Sequence, residues 1–226
     1  MEESLIFKGL RATLVERLKE KGIRDINVLN VIARVPRHLF LPTGFEKQAY
    51  EDKPFSIACG QTISQPYTVA IQTELLQVQR FDKILEIGTG SGYQAVILAE
   101  MGAIVYTVER LRELYLGARR TFRQLGYSID SSWSDGYEGK ENNAPFKGIL
   151  ITAAIPQIPQ KLLDQLATGG RLVAPVGKED MQTMTVVEKI SDNEFNTFHH
   201  HSPFKFVPML KGTDSNIHHP AFLNKQ

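Results

Sequence analysis

Ile84-Leu85-Glu86-Ile87-Gly88-Thr89-Gly90-Ser91-Gly92-Tyr93 is the stretch on which the fold turns. An apolar strand, Lys83 to Ile87, runs into a loop with glycine at alternate positions, and a helical pattern opens at Gly92 and continues to about Met101. A strand–loop–helix of this kind brings bare backbone to the carboxyl edge of a sheet, where a ligand can approach without meeting a Cβ. A dinucleotide fingerprint, G-x-G-x-x-G, needs its third glycine where Tyr93 stands, so that reading fails and the spacing is G-x-G-x-G.

Outward from the loop, short apolar strands alternate with helices. Pro66 suits the first turn of a helix through Ala70, Leu75 and Leu76. After the glycine loop come a strand at Ile104–Val108, a helix at Leu111–Leu125, a weak strand near Ser128–Trp133 and a strong one at Gly148–Ala153. A helix opening at Pro159 and a strand at Arg171–Val176 follow. This order predicts an α/β fold, a Rossmann-like, doubly wound and mostly parallel sheet with helices on both faces. Past Gly177, Met184–Glu188 and Phe195–His200, joined by a turn at Ser191-Asp192-Asn193, predict an antiparallel β-rich end. In front stand two helices. The first, Ser4 to about Lys21, carries Leu5, Leu10, Leu14 and Leu18 and stops at Gly22. The second, N-capped by Asp25, carries Val28, Leu29, Val31 and Ile32 and stops at Val35-Pro36. Residues 40–66, with Pro42, Gly44, Pro54 and Gly60, show no period and read as an ordered loop of functional length.

Composition narrows the class. The 226 residues, at about 150 per domain, predict one domain with an extension. Lys+Arg 26 against Asp+Glu 25 leaves a formal charge of +1, which excludes a strong basic footprint for nucleic acid or anionic membrane. Cys59, the single cysteine, has no intramolecular partner for a disulfide. No run reaches the roughly 18 apolar residues of a membrane span, and Met1-Glu2-Glu3-Ser4 lacks the basic start of a secretory signal, so the expected location is cytoplasmic.

With Glu86 before it, the loop reads acid-x-G-x-G-x-G and resembles the cofactor loop of Rossmann-like S-adenosylmethionine-dependent methyltransferases. The resemblance implies that Glu86, Gly88, Thr89, Gly90 and Gly92 hold S-adenosyl-L-methionine, leaving S-adenosyl-L-homocysteine as product. Glu109 closes the second strand, where a carboxylate accepts from both ribose hydroxyls. Asp135-Gly136 follows the third strand, where such enzymes place an acid that recognises the adenine amino group. Each feature also has a structural reading: the loop as a tight turn, and Glu109 or Asp135 as a helix cap.

Gly60-Gln61-Thr62-Ile63-Ser64-Gln65-Pro66 is similar to the signature of protein-L-isoaspartate O-methyltransferases, which esterify isoaspartyl carboxyls formed by ageing of Asn and Asp. Val35-Pro36-Arg37 with Phe40, Ala49-Tyr50-Glu51-Asp52, Thr152-Ala153-Ala154, Gly169–Gly177 and Phe206-Val207-Pro208-Met209 extend the resemblance over about residues 5–212. It implies Ser64 as the active-site residue and a substrate main chain lying against Thr62, Ile63, Ser64, Val207 and Pro208. Ser64 is read as a hydrogen-bond donor orienting the substrate carboxylate; an N-cap is its alternative, since it precedes Pro66 at a helix start. Methyl transfer to a carboxylate already ionised at neutral pH needs no general base, which suits a chain without an evident Ser-His-Asp set or metal-ligand cluster. The implied organisation is a single domain: 1–65 helical front and substrate loop, 66–177 cofactor core, 178–212 β-rich end, 213–226 tail. The implied partners are isoaspartyl peptides and proteins, with a monomer expected and neither nucleic acid nor membrane.

Three positions depart from the family pattern. Ala58-Cys59 replaces a glycine, Ser134 replaces another before Asp135, and Lys147 stands where an aspartate is usual, exchanging acid for base near the cofactor edge. Two other readings keep the fold: an RNA or small-molecule acceptor, for which Arg110, Arg112, Arg119, Arg120 and Arg123 are the basic candidates against a solvated helix face; or a binding protein without turnover. His199-His200-His201 alternate faces in a strand and cannot share one metal. Cys59 reads as a small half-buried side chain rather than a reactive thiol.

Overall fold

A parallel strand flanked by strands from opposite directions of the chain forms the centre of the molecule. The structure, a computed structural model, describes residues 5–178 and 181–214. Two helices, α1 (Leu5–Glu20) and α2 (Ile26–Arg34), lead into a hairpin of β1 (Phe55–Ser56) and β2 (Thr62–Ile63). Then follow α3 (Pro66–Leu76), β3 (Lys83–Ile87), α4 (Tyr93–Glu100), β4 (Ile104–Glu109), α5 (Arg112–Leu125), β5 (Asp130–Trp133) and β6 (Phe146–Ile151). The chain continues through α6 (Gln160–Asp164), β7 (Leu166–Lys178), β8 (Met181–Ser191) and β9 (Glu194–Phe204). The main sheet has the order β5-β4-β3-β6-β7-β8-β9. Pairings are parallel from β5 to β7 and antiparallel for β7–β8 and β8–β9. The chain moves outward from β3 to β5, then returns to the other side of β3 as β6. That reversal opens a crevice at the carboxyl ends of β3 and β6, the place where open α/β sheets bind ligands.

Local signals explain most boundaries. Asp25 caps α2 by accepting from the main-chain N–H of Asn27 and Val28, and Pro66 takes the first position of α3. The segment 40–66 is more structured than its sequence predicts. Single 3-10 turns at Arg37–Phe40 and Gln48–Tyr50 precede the β1–β2 hairpin, and a third at Ala58–Gly60 connects its strands. Elements this short carry no readable period. The antiparallel end is longer than expected, because backbone pairing continues past the apolar runs into polar, half-exposed residues.

The sheet divides the core in two, as alternation of side chains requires. Ile84, Leu150 and Val173 face a cluster with Leu14, Leu18, Val28, Ile32, Val96 and Phe122. Leu85, Ile149 and Leu172 face a smaller one with Leu162 of α6. Helices α1 to α5 therefore share one face, while α6 supplies the other with short turns. This distribution is less even than the expected two-sided winding. The first helices are core rather than extension: Leu14, Leu18 and Ile32 are at most 1% exposed, and each such burial contributes about 1.5–3 kcal/mol. Buried Arg11 joins the same block, donating to the Ala33 carbonyl at 2.8 Å and to the Tyr50 hydroxyl at 3.2 Å.

Candidate active site

The glycine loop is held from both neighbouring strands. Gly88 N donates to the Val108 carbonyl at 2.8 Å, and the Thr152 hydroxyl lies 2.9 Å from the Ile87 carbonyl and 2.7 Å from that of Gly88. A Cβ on Gly88, whose φ is +98°, would stand 2.5 Å from Thr152 Oγ1. The loop needs glycine there for conformation and for space. Gly92 is glycine for another reason: φ is +87°, and a Cβ would lie 2.6 Å from Phe122 Cε1 on α5. It packs α4 against α5 and does not line the crevice.

The three acids have different surroundings. Glu86 is fully buried. Thr107 Oγ1 donates to its Oε2 at 2.5 Å, while Oε1 is buried without a hydrogen-bond partner. Burial, with Glu109 nearby, pushes its carboxyl up to about 8 against the opposing Thr107 bond. Glu109 lies at the cleft edge and accepts from Gly90 N and Leu111 N, each at 2.9 Å. Its carboxyl is also raised, burial outweighing those two bonds. Asp135 lies behind the cleft wall. Oδ1 caps the turn after β5 through Tyr137 N at 2.8 Å, and Oδ2 accepts from Gly212 N at 2.6 Å. The capping reading of Asp135 is thus correct for one oxygen, and a contact invisible in sequence occupies the other.

The signature segment reaches the same crevice from the front of the chain. Thr62 and Ile63 pair with Ser56 and Phe55, which leaves Ser64 half-buried at the cleft. Ser64 does not cap α3: Gln65 holds that position, without a side-chain cap bond. From the other end, the Val207 carbonyl accepts from Ala154 N at 2.8 Å, and Met209 N donates to the Ala154 carbonyl at 2.8 Å. These bonds place Val207-Pro208 beside the end of β6.

One cleft, about 940 Å³ including its mouth, collects Thr62, Ile63, Ser64, Glu86, Gly88, Thr89, Gly90, Glu109, Gly136, Val207 and Pro208. Of the expected site residues, Gly92 and Asp135 lie outside its lining. Thr152, Gln94 and Met209 belong to it without having been singled out for the site. A polar glutamine in an otherwise apolar helix start was the available signal for Gln94; Thr152 is recognisable only once β6 is known to neighbour β3. A second pocket continues past Ser64 and Thr152 toward Pro203, Lys205 and Phe206.

The departures resolve differently. Lys147 lies at the amino end of β6, the edge opposite the cleft, and its Nζ donates to the Gly169 carbonyl at 2.5 Å. The expectation that it stands near the cofactor edge is therefore wrong, since strand direction puts it at the far end. Cys59 adopts φ +59° in place of glycine, and its thiol faces Glu113 Oε2 at 3.4 Å. Ser134 N donates to the Glu109 carbonyl at 3.1 Å. Arg112, Arg119, Arg120 and Arg123 lie on the exposed side of α5, whereas Arg110 turns to the cleft and donates to the Gly212 carbonyl at 3.1 Å. His199 and Thr185 are paired at 3.2 Å, while His200 Nδ1 accepts from Ser202 N at 3.3 Å. Among the described residues no three His, Cys, Asp or Glu gather as metal ligands, and no helix is long and apolar enough to cross a membrane. The tail expected after Gly212, including Asn216, His218-His219-Pro220 and Lys225, lies outside the described residues beyond Asp214.

Comparison with known proteins agrees with this geometry. The family model described as protein-L-isoaspartate(D-aspartate) O-methyltransferase matches residues 10–214. Relatives named protein-L-isoaspartate O-methyltransferase are 49% identical in Flavobacterium psychrophilum and 50% in Flavobacterium johnsoniae, each over 212 residues, 93% of this chain and 99% of the relative. A solved protein-L-isoaspartate O-methyltransferase superposes with TM-score 0.79 at 25% identity, covering 88% of this chain; the chain spans 65% of its length. A putative one from Plasmodium falciparum, in complex with S-adenosyl-L-homocysteine, shares the fold with TM-score 0.76 at 24% identity, covering 89% of this chain and 99% of that one. The sheet reversal, the glycine loop and the G-Q-T-I-S-Q-P segment at one cleft thus agree with a match over nearly the whole sequence, and the chain belongs to the protein-L-isoaspartate(D-aspartate) O-methyltransferase family.

Proposed function

We propose that this chain transfers a methyl group from S-adenosyl-L-methionine to the free carboxyl of L-isoaspartyl residues in damaged proteins, the step that initiates their repair. The observation that carries this reading is that Ser64 and the Gly88–Gly90 loop line the same cleft at the carboxyl ends of β3 and β6. The residues fit the cofactor: Glu86 Oε1 and Gln94 Oε1 are buried acceptors without partners on that cleft, which suits a ligand carrying ammonium and sulfonium charge.

Bound S-adenosyl-L-methionine supplies an electrophilic methyl group, released as the neutral thioether forms. The chain's own part is binding, alignment and removal of water. Gly88, Thr89 and Gly90 would present backbone to the cofactor, Glu86 would take its cationic end, giving up the proton that burial holds on it in the free chain, and the remaining acceptor sites of Glu109 would take the ribose hydroxyls. Gly136 forms the wall at the adenine end, with Asp135 bracing it from behind and Gly92 setting the helix angle. Ser64 donates its hydroxyl to the substrate carboxylate, while Thr62, Ile63, Val207 and Pro208 accept an extended main chain. No base is required, since the substrate carboxyl, with pKa near 4, is ionised at neutral pH. The substrate partners are isoaspartyl peptides and proteins. We read the chain as a monomer acting as one domain, 1–226, on diffusible proteins in the cytoplasm; the balanced charge bears only on partners, giving no strong attraction to nucleic acid or an anionic membrane.

The test is a matched peptide pair, isoaspartyl and aspartyl, with labelled cofactor. Base-labile methylation of the isoaspartyl peptide alone is expected, and equal or absent labelling would overturn the reading.

A further inference from the structure

Arg37 has no assigned part in this chemistry, yet its placement is unusual. It is fully buried, and burial lowers its guanidinium from the ordinary 12.5 to about 10 in spite of Tyr93, Asp52 and Tyr50 around it. Its bonds reach both halves of the site. Nη2 donates to the Ser64 carbonyl at 2.8 Å, and Nε donates to the Ala49 carbonyl at 2.9 Å. The guanidinium carbon Cζ lies over the ring of Tyr93, 4.7 Å from the centroid, and Phe40 meets the same ring edge-on at 5.3 Å. Tyr93 is the first residue of α4, directly after the glycine loop.

We infer that Arg37 is a positioning residue for methyl transfer: its guanidinium ties the main chain of Ser64 to the helix that carries the cofactor loop. The inference rests on the function proposed above. The Ser64 carbonyl belongs to the residue that orients the substrate, and the Tyr93 ring is continuous with the backbone that holds the cofactor. Both reactants are thereby referred to one side chain. Alignment of two reactants is what this reaction needs from the protein, and small displacements of a reacting group lower the rate steeply. Lysine cannot replace the clamp, because an ammonium lacks the planar fork that donates in two directions while lying over a ring.

The test uses the full chain with Arg37→Met and Arg37→Lys. For each variant the measurements are thermal midpoint, S-adenosyl-L-homocysteine affinity by calorimetry, kcat and KM for the isoaspartyl peptide, and amide exchange over residues 61–65 and 86–92. We expect kcat to fall by about tenfold to a hundredfold, with affinity for S-adenosyl-L-homocysteine within about threefold and exchange faster at 61–65 but not at 86–92. Arg37→Lys should lose kcat as Arg37→Met does, because the ammonium cannot hold both contacts. Unchanged kcat in a folded variant would overturn the inference, as would a loss of kcat matched by equal losses of affinity and midpoint. Should Arg37→Met not fold, Arg37→Lys decides alone. If the unsubstituted chain does not label the isoaspartyl peptide, the proposed function falls and this inference with it. A failure confined to the Arg37 variants' readouts leaves that function standing.

Discussion

The carboxylate of Asp135 accepts the main-chain N–H of Gly212 at 2.6 Å, across 77 residues of sequence. With Arg112 N donating to the Asp214 carbonyl at 3.0 Å and Asp214 N donating to the Arg110 carbonyl at 2.9 Å, the bond straps the end of the described chain over the wall of the cleft. Asp135→Ala removes this charge-assisted bond and the cap on Tyr137, and should cost about 2–3 kcal/mol. Chemical denaturation measures the loss, and exchange of the Gly212 amide should quicken. Asp135→Asn, which keeps an acceptor for the cap, should lose less.

Glu86 should make the cofactor-free protein sensitive to alkali. Its folded carboxyl is raised from 4.5 to about 8 by burial, so between those values the native state holds a proton that the unfolded state has lost. Stability from this group is complete below the unfolded value and falls as pH rises toward 8, by up to about 1.4 kcal/mol per unit. Glu109 acts in the same direction. Denaturation midpoints from pH 5 to 9 should therefore decline, and Glu86→Gln should flatten part of that decline. A parallel decline in the variant would contradict the assignment.

Ser64→Ala should separate binding from turnover. The hydroxyl lies on the cleft and does not cap α3, so its removal should leave stability and S-adenosyl-L-homocysteine affinity nearly unchanged. Loss of one orienting hydrogen bond to a charged group, about 1.5–3 kcal/mol, lowers kcat/KM by roughly tenfold to 150-fold. Steady-state kinetics with the isoaspartyl peptide decide it.

Gly92→Ala and Gly88→Ala should fail for different reasons. At Gly92 the added Cβ meets the Phe122 ring at 2.6 Å with φ +87°, and overpacking with left-handed strain should cost about 2–4 kcal/mol. Phe122→Leu should relieve part of it. At Gly88 the clash is with Thr152 Oγ1 on the cleft itself, so cofactor affinity should fall more than stability does. Calorimetry and denaturation on both variants separate the two.

Cys59 should be a slow thiol. Burial, reinforced by its bond to Glu113 and by nearby carboxylates, pushes it up to about 11, leaving very little thiolate at pH 7. Alkylation by iodoacetamide should be slower than that of free cysteine at pH 7.5 and should keep rising with pH beyond 9. Glu113→Gln should speed it.

What sequence alone determined here is what adjacent residues encode: alternate glycines between a strand and a helix, Asp25 as a cap, Pro66 at a first turn, and the alternation of strands and helices that makes a parallel sheet. Those signals are local because φ, a missing N–H and a side-chain cap act within a few residues. Glu109 was marked by its place at the end of a strand, and the signature segment and Val207-Pro208 by their likeness to the family; all of them line the one cleft. The tertiary structure decided the rest. Only packing could put five helices on one face, engage the second oxygen of Asp135 with Gly212, leave Glu86 Oε1 unpartnered, or set Arg37 between Ser64 and Tyr93. Strand direction, too, moved Lys147 to the edge away from the cleft. Burial and long-range hydrogen bonds depend on which distant segments become neighbours, and no single stretch of the chain carries that information.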